Sequence, residues 1–167
     1  MSWFQVFLIL HIIAVIVAFG PEFSFPLIGR LIEKHPQDAA FGLQIMTAIE
    51  EKMATPLSVI IPLLGVGLIY TGHFNLWHST WLIIAVILYP IVFFFALLVQ
   101  TPRGNRLLKM ALDLQKAGPP PEGAGGPPPE MLKLTKQVQM GGAFLGLMVA
   151  FFVVLMVWRP GSCQGIC

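Results

Sequence analysis

Long runs of apolar residues, separated by shorter polar segments, dominate the pattern of hydrophobic and polar positions along the chain. Four of these runs can cross a bilayer, because a hydrocarbon core about 30 Å thick needs roughly 20 apolar helical residues. None of the four contains lysine or arginine. The pattern therefore predicts an all-α fold, a bundle of four transmembrane helices at about 3–27, 54–71, 81–99 and 138–158.

The polar segments on one side of these runs also predict structure. Asp38 predicts the N-cap of a helix that runs from residue 39 into the second span. Thr101-Pro102 predicts the start of a basic amphipathic helix to about residue 117, lying on the membrane surface or packing its apolar stem on the bundle. Ten of the twelve residues in 118–129 are proline or glycine, which predicts a linker that acts as a spacer or docks an aromatic groove.

Composition places the chain among membrane proteins, as a single domain of 167 residues. Hydrophobic residues make up 56% of it and charged residues 11%, and the mean hydropathy is +0.80. Soluble domains carry about 25% charged residues. A net charge of +2 is too small to indicate a nucleic-acid partner. The sequence contains no recognisable catalytic motif, so we expect that the protein is not an enzyme.

The basic residues predict the orientation. Nine of the ten lysines and arginines lie between spans 1 and 2 or between spans 3 and 4, and the tenth is Arg159. Under the positive-inside rule, both basic loops are cytoplasmic. We therefore expect a multi-pass protein of the bacterial inner membrane, with both termini extracytoplasmic.

Three histidines on the predicted outer side are candidate cofactor ligands. His11 lies inside span 1, and His73 and His78 flank the turn between spans 2 and 3. Neutral imidazole is a common axial ligand of haem iron. His11 with His73 or His78 could therefore hold haem b; otherwise His11 bonds a neighbouring helix and the other two are solvated.

Glu22 is the one acidic residue in a predicted span. It follows His11 by eleven positions, close to three helical turns, so both residues should face the bundle interior. The surrounding prolines, Pro21 and Pro26, leave backbone carbonyls without helical partners. Glu22 is thus a candidate for an ion pathway; alternatively it lies at the inner interface or pairs with Arg30.

Small residues and cysteines add two further expectations. Gly142 and Gly146 have the small-xxx-small spacing that favours close packing, inside the bundle or between subunits. Cys163 and Cys167 lie on the predicted oxidising side and could form a disulfide. Neither cysteine belongs to a zinc motif.

Three motifs resemble a bacterial family of four-helix predicted integral membrane proteins of unknown function. They are LILHIIAVIVAFG at 8–20, PLLGVGLIYTG at 62–72 and STWLIIAVILY at 79–89, and the resemblance covers about residues 3–115. That family is distantly similar to copper-resistance-D-like and protoporphyrinogen-oxidase-J-like bundles. The resemblance implies that His11 is a haem or metal ligand. The oxidase-like relatives also use a lysine that spans 2–4 lack, which argues against porphyrinogen oxidation.

Three functions follow, in order of preference. The first is a non-catalytic accessory or structural subunit of a larger respiratory or photosynthetic membrane complex, in contact with lipid and with other subunits or copies of itself. The second is a b-type haem protein, for redox or haem handling, that uses His11. The third is a small oligomeric transporter with Glu22 in its pathway.

Overall fold

Helices form the whole secondary structure of the residues that the computed structural model describes, which are 2–118 and 127–160. The α-helices are α1 (Trp3–Phe19), α2 (Phe25–Lys34), α3 (Ala39–Ile49), α4 (Thr55–Thr71), α5 (Thr80–Phe95), α6 (Thr101–Ala117) and α7 (Pro129–Trp158).

Short non-α segments join these helices into four long rods. A 3₁₀ turn at Pro21–Ser24 joins α1 to α2, and π-helical segments join α3 to α4 and α5 to α6. The rods contain 32, 36, 38 and 30 residues, and each is apolar enough to cross a membrane. The predicted all-α, four-helix membrane fold is confirmed. Because a 38-residue helix is about 57 Å long, the rods also extend beyond a hydrocarbon core of about 30 Å.

The two π-helical segments occupy equivalent places in the sequence. Glu50–Ala54 and Ala96–Gln100 each end directly before a Thr-Pro pair, at Thr55 and Thr101. A proline removes one helical N–H and crowds the carbonyl four residues earlier, and a wider turn relieves both problems. The predicted helix from Thr101 to about residue 117 is present as α6, but Thr101 does not cap it, because the π-helical segment leads into it without a break.

Two small clusters form the membrane core. Ala14, Ala18 and Ile61 pack α1 along α4, and Trp81, Leu82, Ala85 and Leu155 pack α5 against α7. Most other side chains on the rods remain exposed: only 11–17% of the residues are buried in the most apolar stretch of each rod. A surface of this kind faces lipid.

The extensions of the rods pack on one another. α6 contacts α3 and α7, and Leu107, Ala111 and Leu134 are buried there. The basic helix therefore packs its apolar stem on the bundle and does not lie alone on the membrane surface. Asp38 precedes α3 as predicted, but its side chain makes no capping hydrogen bond.

Aromatic side chains close the opposite end of the bundle, where α1 begins and α7 ends. We call this the terminal end. The Phe74 ring contacts Phe4 and Trp81, with centroids 6.1 and 5.9 Å apart. The Arg159 guanidinium lies 5.5 Å from the Phe74 centroid and 5.6 Å from that of Trp81, within the range of cation–π attraction. The two ends of the described chain are thus held together.

Candidate functional site

His11 is the buried histidine of the first rod. It lies on the inward face of α1 with Ala14 and Ala18, as its spacing predicted, and only 6% of its surface is exposed. Its Nδ1 is 3.1 Å from the carbonyl oxygen of Ile61 on α4. A carbonyl oxygen can only accept, so Nδ1 carries the proton and the Nε2 of the neutral ring keeps its lone pair.

Gly65 also lies beside the imidazole on α4. A Cβ atom built on it would lie 3.8 Å from Cε1 of His11, an ordinary van der Waals distance, so alanine would also fit there. Ile61 and Gly65 are one helical turn apart, and together they form a shallow seat for the ring. The close approach of α1 and α4 continues at Gly67, where the Phe7 ring packs.

The other two outer histidines lie at a different level. His73 follows α4 in the left-handed conformation, with φ of 51°, and His78 ends a short 3₁₀ turn; both are exposed. Phe4 contacts the adjacent Gly72, so His11 lies about seven residues, roughly 10 Å, deeper along α1. An imidazole carries its metal-bound nitrogen several ångströms from the backbone, so two ligands of one iron can lie this far apart along the helices. The pairing of His11 with His73 or His78 stays a prediction.

The hydroxyl of Tyr89 compensates for the proline of α4. Pro62 has no N–H, so the carbonyl of Ser58, four residues earlier, loses its helical donor. Tyr89 on α5 donates to that oxygen at 2.5 Å. The sequence shows Pro62 but does not show which residue satisfies the Ser58 carbonyl. The one indication was Tyr89 itself, a polar aromatic residue in an otherwise apolar span.

A polar layer crosses the first three rods where each departs from α-helical geometry. Its members are Glu22 of the 3₁₀ turn, Glu50 and Glu51 of one π segment, and Gln100, Thr101 and Asn105 at and after the other. Thr101 donates to Glu50 at 2.6 Å and Asn105 donates to Glu51 at 3.2 Å. Only Glu22 was predicted from the sequence, because residues 50–52 were interpreted as part of a helix outside the membrane.

The two half-buried carboxylates of this layer, Glu22 and Glu50, lie within electrostatic range of each other. Among the described residues, neither carboxylate has a basic side chain at salt-bridge distance. The salt bridge found there joins two other residues, Arg106 and Glu130. The expected alternative pairing of Glu22 with Arg30 is thus not formed. Two like charges at this range repel each other, and a bound proton or cation would relieve that repulsion.

Gln100 links the polar layer to the fourth rod. Its Nε2 donates to the carbonyl of Val138 at 2.8 Å, and its buried Oε1 has no hydrogen-bond partner. A Cβ atom on Gly141 would lie 2.0 Å from that oxygen. Glycine is therefore required at residue 141 if the amide is to remain where it is.

The comparisons with known proteins give a family. The model of the family described as Predicted integral membrane protein (DUF2269) matches residues 5–160. The chain belongs to this family. No curated protein and no solved structure matches. The DUF2269 assignment supports a membrane protein of unknown function, and the distant similarity to copper-resistance-D-like bundles stays a prediction.

The remaining predicted residues of this DUF2269 chain lie apart from both sites. A Cβ atom on Gly142 would approach Nε2 of Gln100 only to 3.8 Å, and one on Gly146 would meet nothing within 4 Å. Their role in close packing, inside the bundle or between subunits, stays a prediction. Cys163, Cys167 and residues 119–126 of the linker lie outside the described residues.

No group of three or more histidine, cysteine, aspartate or glutamate side chains able to hold a metal ion occurs in residues 2–118 and 127–160. What the structure offers is one buried imidazole and one pair of half-buried carboxylates. His11 and Glu22 are separated by eleven residues, which corresponds to about 16 Å along the helix axis. They are two separate candidate sites.

Proposed function

We propose that this protein is a non-catalytic integral membrane subunit that works within a larger membrane complex. One observation supports this: the polar side chains between the rods are used to tie helices together. His11, Tyr89 and Gln100 each bond a backbone carbonyl of a neighbouring helix. Side chains engaged in this way fix helix positions.

The exposed surface of the rods supports the same proposal. Large apolar side chains stand outward on two of them, including Leu63 and Val66 on α4 and Leu147 and Val154 on α7. A small bundle with so thin a core gains contacts when it packs against other transmembrane helices, because such packing is driven by van der Waals contact.

Photo-crosslinking in native membranes tests this proposal. A photoreactive residue is placed at Leu63 or at Leu147, which are 65% and 68% exposed, and at buried Leu155 as the matched control. We expect crosslinks from the exposed positions to one or two larger membrane proteins in constant ratio, and none from Leu155. Crosslinks to lipid and to other copies of this chain alone would contradict the proposal.

A second candidate function is haem binding at His11. The Nδ1–H bond to Ile61 supports it, because metal-bound histidines commonly donate the other ring N–H to a carbonyl, which fixes the tautomer. The sequence resemblance to copper-resistance-D-like bundles points to the same residue. His73 or His78 would supply the second ligand, or it would come from another chain.

An absorption spectrum of the protein purified in mild detergent tests this candidate. Bound haem would give a Soret band that His11→Ala removes and that His35→Ala, at an exposed histidine between spans 1 and 2, leaves unchanged. If His11→Ala lowers the stability of the protein but the wild type has no Soret band, the histidine is a helix-packing residue.

A third candidate is an oligomeric transporter that uses Glu22. The nearby Glu50 carboxylate and the breaks in three rods favour it, because irregular backbone in a membrane protein is tolerated inside protein or where water can reach it. In proteoliposomes, Glu22→Gln should abolish proton or cation flux while the protein still folds. Glu33→Gln, an exposed control on α2, should not. Equal flux in the wild type, Glu22→Gln and Glu33→Gln would exclude this function.

The orientation is also part of the proposal: the basic loops are cytoplasmic and both termini extracytoplasmic, in a bacterial inner membrane. An impermeant thiol reagent applied to intact cells after mild reduction should label Cys163 and Cys167. It should not label a cysteine placed at Ala117 in a chain in which both natural cysteines are serine. The opposite pattern would invert the arrangement.

A further inference from the structure

An apolar cleft opens between α5 and α7 on the lipid-facing side of the bundle. Phe95 and Phe144 form its base, with ring centroids 5.3 Å apart in an edge-to-face arrangement. Leu88, Ile91 and Val92 complete its lining, so all five lining residues are apolar. The cleft has the chemistry of a hydrocarbon-binding surface.

A track along α7 connects the cleft to a basic region. Lys133 precedes Phe144 by eleven residues in an uninterrupted α-helix, so both side chains share one face, about 16 Å apart along the axis. Between them on that face lie the half-buried Gln137, one turn from the lysine, and the exposed Met140, one turn from the phenylalanine. The face therefore changes in order from cationic to polar to apolar as it approaches the cleft.

The second cation at this place comes from α6. Arg106 forms a salt bridge with Glu130, one turn from Lys133 on α7, so its guanidinium lies at the seam between the two helices. Arg106 and Lys133 are both exposed. α6 and residues 129–137 together carry six basic and two acidic side chains, which gives the seam an excess of positive charge.

The dimensions match one leaflet of a bilayer. Half of a bilayer, with its headgroup region, is about 20–22 Å thick, so the roughly 16 Å from Lys133 to Phe144 fits within one leaflet. Counted from Trp158, roughly 20 residues of α7 cross the core and end near Val138. Lys133 is then about 7 Å outside the core, at the level of the lipid headgroups, Gln137 is at the boundary of the core, and Phe144 is about 9 Å inside it.

We propose that the seam between α5–α6 and α7 binds one anionic phospholipid. Its phosphate lies against Lys133 and Arg106, its ester groups lie at the level of the Gln137 amide, and one acyl chain follows Met140 into the cleft. Charge at one end and an apolar groove at the other distinguish this site from the general lipid-facing surface, because basic pockets beside transmembrane helices select anionic headgroups.

Native mass spectrometry of the full-length protein, released from detergent micelles with added lipid, tests the proposal. We expect one bound phosphatidylglycerol in clear preference to phosphatidylcholine with the same acyl chains. Lys133→Gln should weaken phosphatidylglycerol binding about fivefold, since one basic residue near anionic lipid contributes about that factor. The Lys133→Gln, Arg106→Gln pair should remove the preference.

Two controls distinguish this site from general attraction between lipid and a basic surface. Lys34→Gln with Lys52→Gln removes the same charge from exposed positions between spans 1 and 2 and should leave binding unchanged. Ile91→Trp fills the cleft without altering any charge and should weaken binding, and the headgroup alone, as glycerophosphoglycerol, should not bind. Equal losses in the two charge pairs, or equal binding of both lipids to the wild type, would overturn the proposal.

Discussion

Replacement of Gly141 by alanine tests how tightly the third and fourth rods are joined. The new Cβ would lie 2.0 Å from Oε1 and 2.9 Å from Cδ of Gln100. Both are far below a van der Waals separation, so the amide must move. When it moves, its bond to the Val138 carbonyl is lost and a polar group remains between two helices.

The expected cost follows from these contacts. Side-chain hydrogen bonds between transmembrane helices contribute about 0.6 kcal/mol on average and about 1.7 kcal/mol at most. Overpacking typically adds about 1–3 kcal/mol. The higher helix propensity of alanine offsets up to about 1 kcal/mol of this loss in stability. We therefore expect Gly141→Ala to lower the free energy of unfolding by about 1–2 kcal/mol.

The same substitution should change sign when the amide is absent. In a Gln100→Ala background no side chain opposes the new methyl group, and only the gain in helix propensity remains. Gly141→Ala should then stabilise by up to about 1 kcal/mol. The two changes are thus expected to couple by about 2 kcal/mol, which a double-mutant cycle measures.

Reversible unfolding in mixed detergent micelles, followed by tryptophan fluorescence, is the assay. Gly146→Ala is the matched control on the same helix: its Cβ would meet nothing within 4 Å, so it should stabilise by up to about 1 kcal/mol in both backgrounds. If Gly141→Ala has the same effect with and without Gln100, the two residues do not interact and the reasoning fails.

The same unfolding assay tests two other contacts. Tyr89→Phe should lower the free energy of unfolding by about 1 kcal/mol, because the Ser58 carbonyl loses its donor. The loss should be smaller in a Pro62→Ala background, where the restored N–H can donate to that carbonyl. Equal losses in both backgrounds would refute this. Gly67→Ala should lower the free energy of unfolding by about 1–3 kcal/mol, because its Cβ would lie 2.6 Å from the Phe7 ring. In a Phe7→Ala background most of that loss should disappear. An unchanged loss in that background would argue against close contact between Gly67 and the ring.

Much of the fold was predictable because a bilayer imposes a simple rule on the chain. A span must be apolar and about 20 residues long, and the four runs met that rule without competing interpretations. The inward face of α1 was also predictable, since His11, Ala14 and Ala18 follow helical spacing. These features depend on residues close together in sequence.

The contacts between helices were not predictable in the same way. The bond from Tyr89 to Ser58 depends on how far α5 slides along α4, and that register is set by packing between residues 31 positions apart. The approach of Gln100 to Gly141 depends likewise on two rods that meet only in the folded bundle. Sequence spacing selected Gly142 and Gly146, whereas the close contact is made by Gly141, the residue before Gly142.

The breaks in helical geometry have one physical explanation that the individual motifs did not suggest. Counted from the terminal end, the 3₁₀ turn of the first rod and the two π segments all begin or end about 16–21 residues into their rods. That distance equals the thickness of a hydrocarbon core. Inside the core every backbone group needs an internal partner, whereas at its edge water can supply one. The prolines at 21, 56 and 102 thus stand where a bilayer tolerates them, and Glu22 and Glu50 lie at the same edge. An acid at that depth is accessible to ions from one side, so any path through the bundle must still cross the level of His11.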